Sequence, residues 1–212
     1  MPVKTEIFDS IALTGHRDYP DRAEFLRGLD KLRAMRYYFG GARGFDNDAL
    51  KYITKTQPGA IRTVVVPNRL IDQPFETRMV IKQNATEIIE LKNTGAGRYR
   101  IRNEFMVNKA QKTVGFYDFR GKGGTYQTIN YADSKGKLLR VNPLVKFDKQ
   151  EILSRTPQQQ RIWLKEMQRL KVNLSAIKGI VLSIIYNTLG MTAKGYMVSV
   201  GNKDAKTLEQ LW

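Results

Sequence analysis

The stretch that decides the fold is KTVGFYDFRGKGGTYQTINYA, residues 112–132. Its first part, KTVGFYDF, is an apolar run of the kind that forms a buried strand. Three glycines then follow within residues 121–124, and the remainder predicts a helix. A strand that turns through glycines into a helix presents backbone amides to an anion. The stretch therefore predicts either a phosphate-binding loop or an ordinary tight turn.

The same strand, turn and helix pattern occurs at least four times before residue 144. The predicted strands are 11–13, 36–39, 61–68, 112–119 and 137–144, and the predicted helices include 20–35, starting at Pro20, and one capped by Asp46. This alternation predicts an α/β, Rossmann-like domain with a mainly parallel sheet and helices on both faces. Ligands of such sheets bind beyond the carboxyl ends of the strands. We therefore expect the turns at 14–18, 40–46 and 120–125 to converge on one crevice.

The chain changes character after Pro143. We predict a Rossmann-type domain over residues 1–144 and a C-terminal helical extension over 145–212. Within the extension, residues 157–190 predict two helices with Asn173 as a cap between them, and residues 193–202 predict a short strand. The helices of 157–190 are expected to pack on the sheet domain or on a second copy of the chain, as a homo-oligomer.

The composition excludes several classes of site. The chain has no cysteine and one histidine, His16, so disulfides, thiolate zinc sites and histidine-rich metal clusters are excluded. The G-x-S-x-G, G-x-G-x-x-G and Walker A patterns are all absent. We therefore expect no metal and no required cofactor, although a bound nucleotide remains open.

Charge is the strongest compositional signal. Lysine and arginine total 36 against 20 acidic residues, which gives a net charge of +16. The excess is spread along the chain rather than confined to a tail, and it favours a polyanionic partner over a merely soluble surface. Residues 1–10 lack a signal-peptide core, and the longest apolar run, residues 177–191, is short for a membrane span and contains Lys178. We expect a cytoplasmic protein with no membrane partner.

The three turns supply the candidate phosphate-binding residues. Glycines there permit tight turns and close approach of the backbone, and the neighbouring basic side chains neutralise an anion. The candidates are Thr14, Gly15, His16, Arg17, Gly40, Gly41, Arg43, Lys122, Gly123, Gly124 and Thr125.

Three further arginines precede the strand at residue 112. Arg98, Arg100 and Arg102 lie at alternating positions, and on an extended loop this spacing would place all three on one side. A solvated run of charge is the alternative interpretation. We predict that Arg98, Arg100 and the loop residue Arg120 contact nucleic acid and that Arg102, with Asn103, contacts a phosphate.

These motifs, in this order, resemble the SLOG superfamily, which joins the DNA-processing protein A (DprA) family and the LOG phosphoribohydrolases. GGARGFDNDAL (40–50), RNEFMVNKAQKTVGFYD (102–118) and GGTYQTINYA (123–132) resemble DprA motifs. TGHR (14–17) resembles the first loop of small SLOG proteins of bacteria and phages. The resemblance covers about residues 10–143.

The resemblance implies a Rossmann-like domain whose loops hold a nucleotide or a nucleic-acid backbone, single-stranded DNA in DprA-type members. Our leading hypothesis is a non-catalytic binding protein in which the amides of 121–125 hold a phosphate. Arg17, Arg43, Arg102 and Lys122 would neutralise it, and Tyr99, Phe119 and Tyr126 would stack on a base.

LOG-type members instead hydrolyse the N-glycosidic bond of a nucleoside monophosphate, with a catalytic glutamate and an assisting arginine. Arg102 and Met106 match the arginine motif, but Gln127 or Thr128 stands at the glutamate position. An oxocarbenium-like transition state needs a nearby carboxylate, and Asp118 and Asp133 are the remaining candidates. A nucleotide N-glycosidase is therefore the second hypothesis, and a nucleotide-sensing interaction protein is the third.

Overall fold

Six parallel strands form the centre of the fold. The computed structural model describes residues 7–19, 25 and 28–188. The strands are β1 (Phe8–Gly15), β2 (Ala34–Phe39), β3 (Ile61–Val66), β4 (Glu87–Glu90), β5 (Lys112–Tyr117) and β6 (Leu138–Pro143). They form one sheet in the order β4-β3-β2-β1-β5-β6, and every neighbouring pair is parallel.

Helices connect the strands and continue after β6. The helices with bounds inside the described residues are α1 (Phe45–Thr56), α2 (Phe75–Asn84), α3 (Arg98–Lys109), α4 (Gly124–Ser134), α5 (Lys149–Ser154), α6 (Pro157–Arg169) and α7 (Leu174–Ser183). A short 3-10 helix spans Leu70–Asp72, and the π-helical segment Ile184–Thr188 follows α7.

Helices pack on both faces of the sheet. Successive residues of a strand point to opposite faces, so neighbouring residues of β1 belong to different buried clusters. On one face, Ile11 and Leu13 of β1 belong to the same buried cluster as Leu50 of α1. On the other face, Ala12 belongs to a cluster with Met106 of α3. Burial on both faces explains why the strands are continuous apolar runs. The predicted Rossmann-like α/β class is confirmed.

The chain divides into two compact units, residues 1–145 and residues 146–212. The described part of the second unit is helical. Asp148 caps α5 by accepting hydrogen bonds from the amides of Gln150 and Glu151, and Thr156 and Gln159 form a capping box at the start of α6. The strand predicted at 193–202 lies outside the described residues.

Three local predictions differ from the structure. Helix α1 begins at Phe45 after Gly44, so the prediction that Asp46 caps it is wrong and Asp46 lies in its first turn. The extended loop predicted around Arg98 is also wrong, because Arg98 is the first residue of α3. Successive helical residues are about 100° apart, so Arg98, Arg100 and Arg102 do not share one side.

The helix predicted over residues 20–35 ends earlier than expected. Residues 28–30 are helical, but β2 already begins at Ala34, and Met35 is an exposed strand residue. The predicted start at Pro20 lies outside the described residues.

Within the described residues, no helix has both the length and the apolar character needed to cross a membrane.

Gly44 lies where the loop after β2 packs closely against the loop after β1. It has φ +83°, and a Cβ atom there would lie 2.0 Å from the carbonyl oxygen of Arg17. We expect Gly44→Ala to lower the free energy of unfolding by about 3 kcal/mol, since backbone strain and a backbone clash add. Urea denaturation measures the change.

The control for this prediction is Gly59→Ala. A Cβ atom at Gly59 meets nothing within 4 Å, so its effect should stay within about 0.5 kcal/mol. Equal effects of the two substitutions would contradict the packing argument.

Candidate functional site

A cleft of about 390 Å³ lies where the chain order of the sheet reverses. The chain leaves β1 toward β2 on one side, whereas β5 pairs with β1 on the other, so the loops after β1 and β5 diverge there. A crevice at this edge of a parallel sheet is the usual ligand site of the fold. The sequence-predicted residues that line it are Thr14, Gly15, His16, Arg17, Gly40, Arg102, Asn103, Arg120, Gly124 and Thr125.

The other predicted residues lie around this cleft. Gly41 and Arg43 line an adjoining cavity of about 540 Å³, which shares Gly40 and Arg102 with the cleft. Lys122 and Gly123 are exposed in the loop immediately before α4.

Arg98 and Arg100 of α3 are not among the residues that line the cleft. The Arg98 guanidinium lies 5.0 Å from the centre of the Tyr99 ring, and Arg100 forms an ion pair with Glu104 at 3.5 Å. Arg98 therefore shares the Tyr99 ring with Arg102 at the edge of the cleft, whereas Arg100 is paired with Glu104 outside it.

The glycines of the three loops differ in what surrounds them. A Cβ atom at Gly15 would lie 2.3 Å from the Phe45 ring, and one at Gly40 would lie 2.4 Å from Nη1 of Arg102. These glycines make room for protein atoms. By contrast, Gly121 and Gly123 have φ values of +71° and +96° and nothing within 4 Å of such an atom. The loop before α4 is therefore the one with open space above its glycines.

The first turn of α4 has unsatisfied amide donors. Gly123 is its N-cap and provides no side-chain hydrogen bond, and the first turn contains no acidic residue. The amides of Gly124, Thr125 and Tyr126 have no acceptor among the described residues, whereas the amide of Gln127 donates to the Gly123 carbonyl at 3.1 Å. These donors, together with the positive end of the helix dipole, form a site suited to an anion.

The first turn of α1 is different. It contains Asp46 and Asp48, and an Asp46 carboxylate oxygen accepts a hydrogen bond from the Ala42 amide at 3.0 Å. These carboxylates offset the positive end of the helix. The second glycine loop therefore meets a helix end that does not favour a phosphate.

Arg102 lies at the centre of the cleft. It is only 8% exposed; Nη1 donates to the Gly40 carbonyl and Nε donates to Oδ1 of Asn103 at 2.8 Å. Nη2 has no acceptor among the described residues. Nδ2 of Asn103 is 3.6 Å from the position that a Cβ atom of Gly124 would take, so Asn103 lies close to the first residue of α4. An incompletely bonded buried cation therefore lies beside the open end of α4.

Asp46 is the carboxyl whose charge acts on the Arg102 guanidinium. Burial raises the pKa of Asp46, while Arg102, the Ala42 amide and Arg17 oppose the rise. Burial also lowers the pKa of Arg102, against the effect of Asp46. The nearby Asp46 favours the charged form of the guanidinium, and arginine side chains remain protonated in proteins.

His16 and Asp118 form a second group of titratable side chains at the cleft. Nε2 of His16 lies 3.0 Å from Oδ1 of Asp118, in an orientation that does not make a hydrogen bond, and the imidazole stacks on Tyr117 at 5.4 Å. Burial lowers the pKa of His16; Asp118 opposes this and Arg120 adds to it.

Arg120 is engaged by Asp118 rather than open to a ligand. Its Nε donates to Oδ2 of Asp118 at 2.6 Å. Burial acts to raise the pKa of Asp118, but the hydrogen bonds and charge of Arg120, together with His16, lower it overall. Sequence reasoning considered Asp118 only as a substitute for a catalytic glutamate. The sequence feature that indicates this ion pair is the spacing of the two residues, since Asp118 follows the strand and lies two residues before Arg120.

Of the three aromatic residues predicted to stack on a base, Tyr99 lines the cleft. It is 45% exposed, and the guanidinium groups of Arg98 and Arg102 lie 5.0 and 5.9 Å from its ring centre. Phe119 and Tyr126 instead pack against Tyr117, at ring distances of 5.0 and 5.8 Å.

No model of a known protein family matches the chain, and no curated protein sequence matches it. The described residues also contain no cluster of three or more histidine or acidic side chains able to hold a metal ion.

The pairing of Arg102 with Asp46 predicts a pH-dependent loss of stability. Because burial raises the folded-state pKa of Asp46, this group favours the folded state below its unfolded pKa of about 3.9, and that stability is lost as pH rises through the folded value. Arg102→Met removes the opposing cation and raises the folded pKa further. We expect a loss of about 3 to 5 kcal/mol at neutral pH and a smaller loss near pH 4, measured by urea denaturation.

The control is the double variant Arg102→Met with Asp46→Asn, which has no carboxylate to leave unpaired. Its stability relative to wild type should vary less with pH than that of Arg102→Met alone. An equal loss for Arg102→Met at both pH values would show that Asp46 does not depend on Arg102.

Proposed function

We propose that this chain is a SLOG-type protein that binds, without catalysis, a phosphate of a nucleotide or nucleic acid at the first turn of α4. The observation that supports it most directly is the combination of unsatisfied amides in that turn with the buried, incompletely bonded guanidinium of Arg102 beside it. Backbone donors at a helix N-terminus and a fixed cation are the two components of many phosphate sites.

Open space and exposed charge support the same proposal. Gly123 leaves room for a ligand, and Lys122 is exposed immediately before the helix and forms no salt bridge with a described residue. Arg17 and Arg43 are exposed at the cleft and the adjoining cavity. The cleft volume of about 390 Å³ is within the range of small-ligand pockets, roughly 300–1,000 Å³.

Single-stranded DNA is the preferred ligand in this proposal. The net charge of +16 exceeds what one mononucleotide needs and is spread along the chain. Contact with a phosphate backbone releases counterions, so affinity falls as salt rises.

The salt dependence of oligonucleotide binding tests the ligand class. We expect the affinity for a short fluorescent oligothymidylate, measured by anisotropy, to fall at least tenfold between about 50 and 200 mM salt. Lys122→Ala should reduce the slope of log affinity against log salt by about 0.7, the value for one lost phosphate contact on a single strand.

Lys55→Ala is the matched control for this measurement. Lys55 is an exposed lysine in the last turn of α1, the end that leads back toward the start of β3, and its loss should leave the slope unchanged. An affinity that hardly responds to salt would exclude binding to the backbone.

A nucleotide N-glycosidase is the second candidate. The burial of Asp46 in the cleft, with its raised pKa, is the observation that favours it. A buried carboxyl with a raised pKa, beside an arginine in a cleft, is a candidate general acid. The predicted glutamate position does not supply such a group. Gln127 is exposed outside the cleft, and the Thr128 hydroxyl donates to the Gly124 carbonyl at 2.7 Å.

The remaining carboxylates are also poorly placed for glycosidase chemistry. Asp133 lies nine residues along α4 from Gly124, about 14 Å at the helical rise, and Asp118 is bound by Arg120. Asp18 also lines the cleft but is exposed, so Asp46 is the buried carboxyl on which the glycosidase hypothesis depends.

Incubation with nucleoside monophosphates separates the two candidates. We expect no release of free base above the protein-free reaction, measured by chromatography, because the proposed role is binding alone. Base release that disappears in both Asp46→Asn and Arg102→Met would establish the glycosidase instead. Gln83→Ala, which replaces an exposed residue of α2, is the control for non-specific loss.

A further inference from the structure

A groove of about 380 Å³ lies between α3 and α4, outside the cleft already described. Asn103 lines both the groove and the cleft. Gly124 and Thr125 line the cleft, whereas the next residues, Tyr126 and Gln127, line the groove. The first turn of α4 is therefore the wall between the two.

Two tyrosines give the groove aromatic walls. The half-buried Tyr126 ring stacks on Tyr117 at 5.8 Å with an interplanar angle of 25°. Tyr131 donates a hydrogen bond from its hydroxyl to Oδ1 of Asn108 at 3.1 Å, and the ammonium of Lys135 lies 5.4 Å from its ring centre. Both rings are thus held in place by neighbouring groups.

One polar side chain in the groove is uncommitted. Gln127 is exposed and its side-chain carboxamide forms no hydrogen bond with any described residue, so this group offers two donor hydrogens and an acceptor oxygen. The charged neighbours, Arg100 and Glu104, are paired with each other at 3.5 Å. The groove therefore combines ring surfaces with a free amide and carries no uncompensated charge from this pair.

We infer that this groove binds the nucleobase of the nucleotide whose phosphate is held at the first turn of α4. A nucleobase has flat apolar faces and a polar edge, which match tyrosine rings and a free carboxamide. The inference rests on the proposed function, because the phosphate site beside the groove identifies the ligand class. Gln127, one of the two residues matched to the LOG glutamate position, is then a residue that recognises the base and not one that cleaves its bond.

Comparison of a nucleotide with its base-free counterpart tests the inference. Isothermal titration of the full chain with adenosine monophosphate and with ribose 5-phosphate should show tighter binding of the nucleotide. Gln127→Ala should weaken adenosine monophosphate by about tenfold, the size of one or two net hydrogen bonds, and leave ribose 5-phosphate unchanged. Gln83→Ala, an exposed glutamine of α2, should change neither.

A fluorescent base provides a second readout. The emission of a 2-aminopurine nucleotide should be quenched on binding, because stacking on an aromatic ring quenches this base. Tyr131→Leu should reduce the quenching, and a circular dichroism spectrum matching that of wild type establishes that the variant is folded. If the Tyr131→Leu variant is unfolded, the Gln127→Ala titration alone tests whether the groove binds the base.

The outcomes separate this inference from the proposed function. Equal affinity for the two ligands, or equal weakening of both by Gln127→Ala, would overturn the groove assignment and leave the phosphate site standing. Absence of binding by both ligands and by oligonucleotides would overturn the proposed function and the groove assignment together. A short oligodeoxyadenylate with the same Gln127 dependence and a steep salt dependence would support the groove and identify a strand as the source of the base.

Discussion

The arrangement of the site depends on one buried guanidinium. Arg102 comes from α3, donates to the Gly40 carbonyl just after β2 and also donates to Asn103, which lies close to the first residue of α4. The bond to Gly40 joins α3 to the loop after β2, two segments that are distant in sequence. Because a buried cation is tolerated only with good partners, the same group also constrains Asp46 and the glycine at position 40.

The glycines serve two different purposes, although they look alike in the sequence. Gly15, Gly40 and Gly44 are required because protein atoms occupy the space of a side chain. Gly121 and Gly123 are required by backbone conformation alone, and the space above them is open. This difference supports the proposed placement of the phosphate at the loop before α4, and it shows that the glycines of the loops after β1 and β2 are needed for packing.

The sheet was predictable from sequence because its strands are apolar runs buried on both faces and separated by glycine turns. The prediction of a strand over 112–119 agrees with β5 to within two residues, and the loop and helix that follow were also expected. The contacts made by the side chains were not predictable. Arg102 meets Gly40 across 62 residues, and no local pattern encodes such a pairing.

The errors come from backbone geometry and packing that residue type alone does not show. Alternating arginines at 98, 100 and 102 have the spacing of an extended chain, but Gly97 ends the preceding loop and its carbonyl accepts the first helical hydrogen bond, from Ile101. Asp46 has the residue type of a cap, yet the close approach of Arg17 allows only a glycine at the cap position itself. In the sequence, Gln127 is notable only because it is not the glutamate of the LOG motif. Its place in the α3–α4 groove depends on how the two helices pack, which no local sequence pattern indicates.

The two helix ends at the cleft have opposite character. The end of α4 keeps its amide donors open, whereas the end of α1 carries carboxylates that offset its dipole. The cleft is therefore more favourable to an anion on the α4 side than on the α1 side, and a ligand with one anionic end has a single favoured orientation. In the proposed binding mode, a nucleotide would enter with its phosphate toward α4.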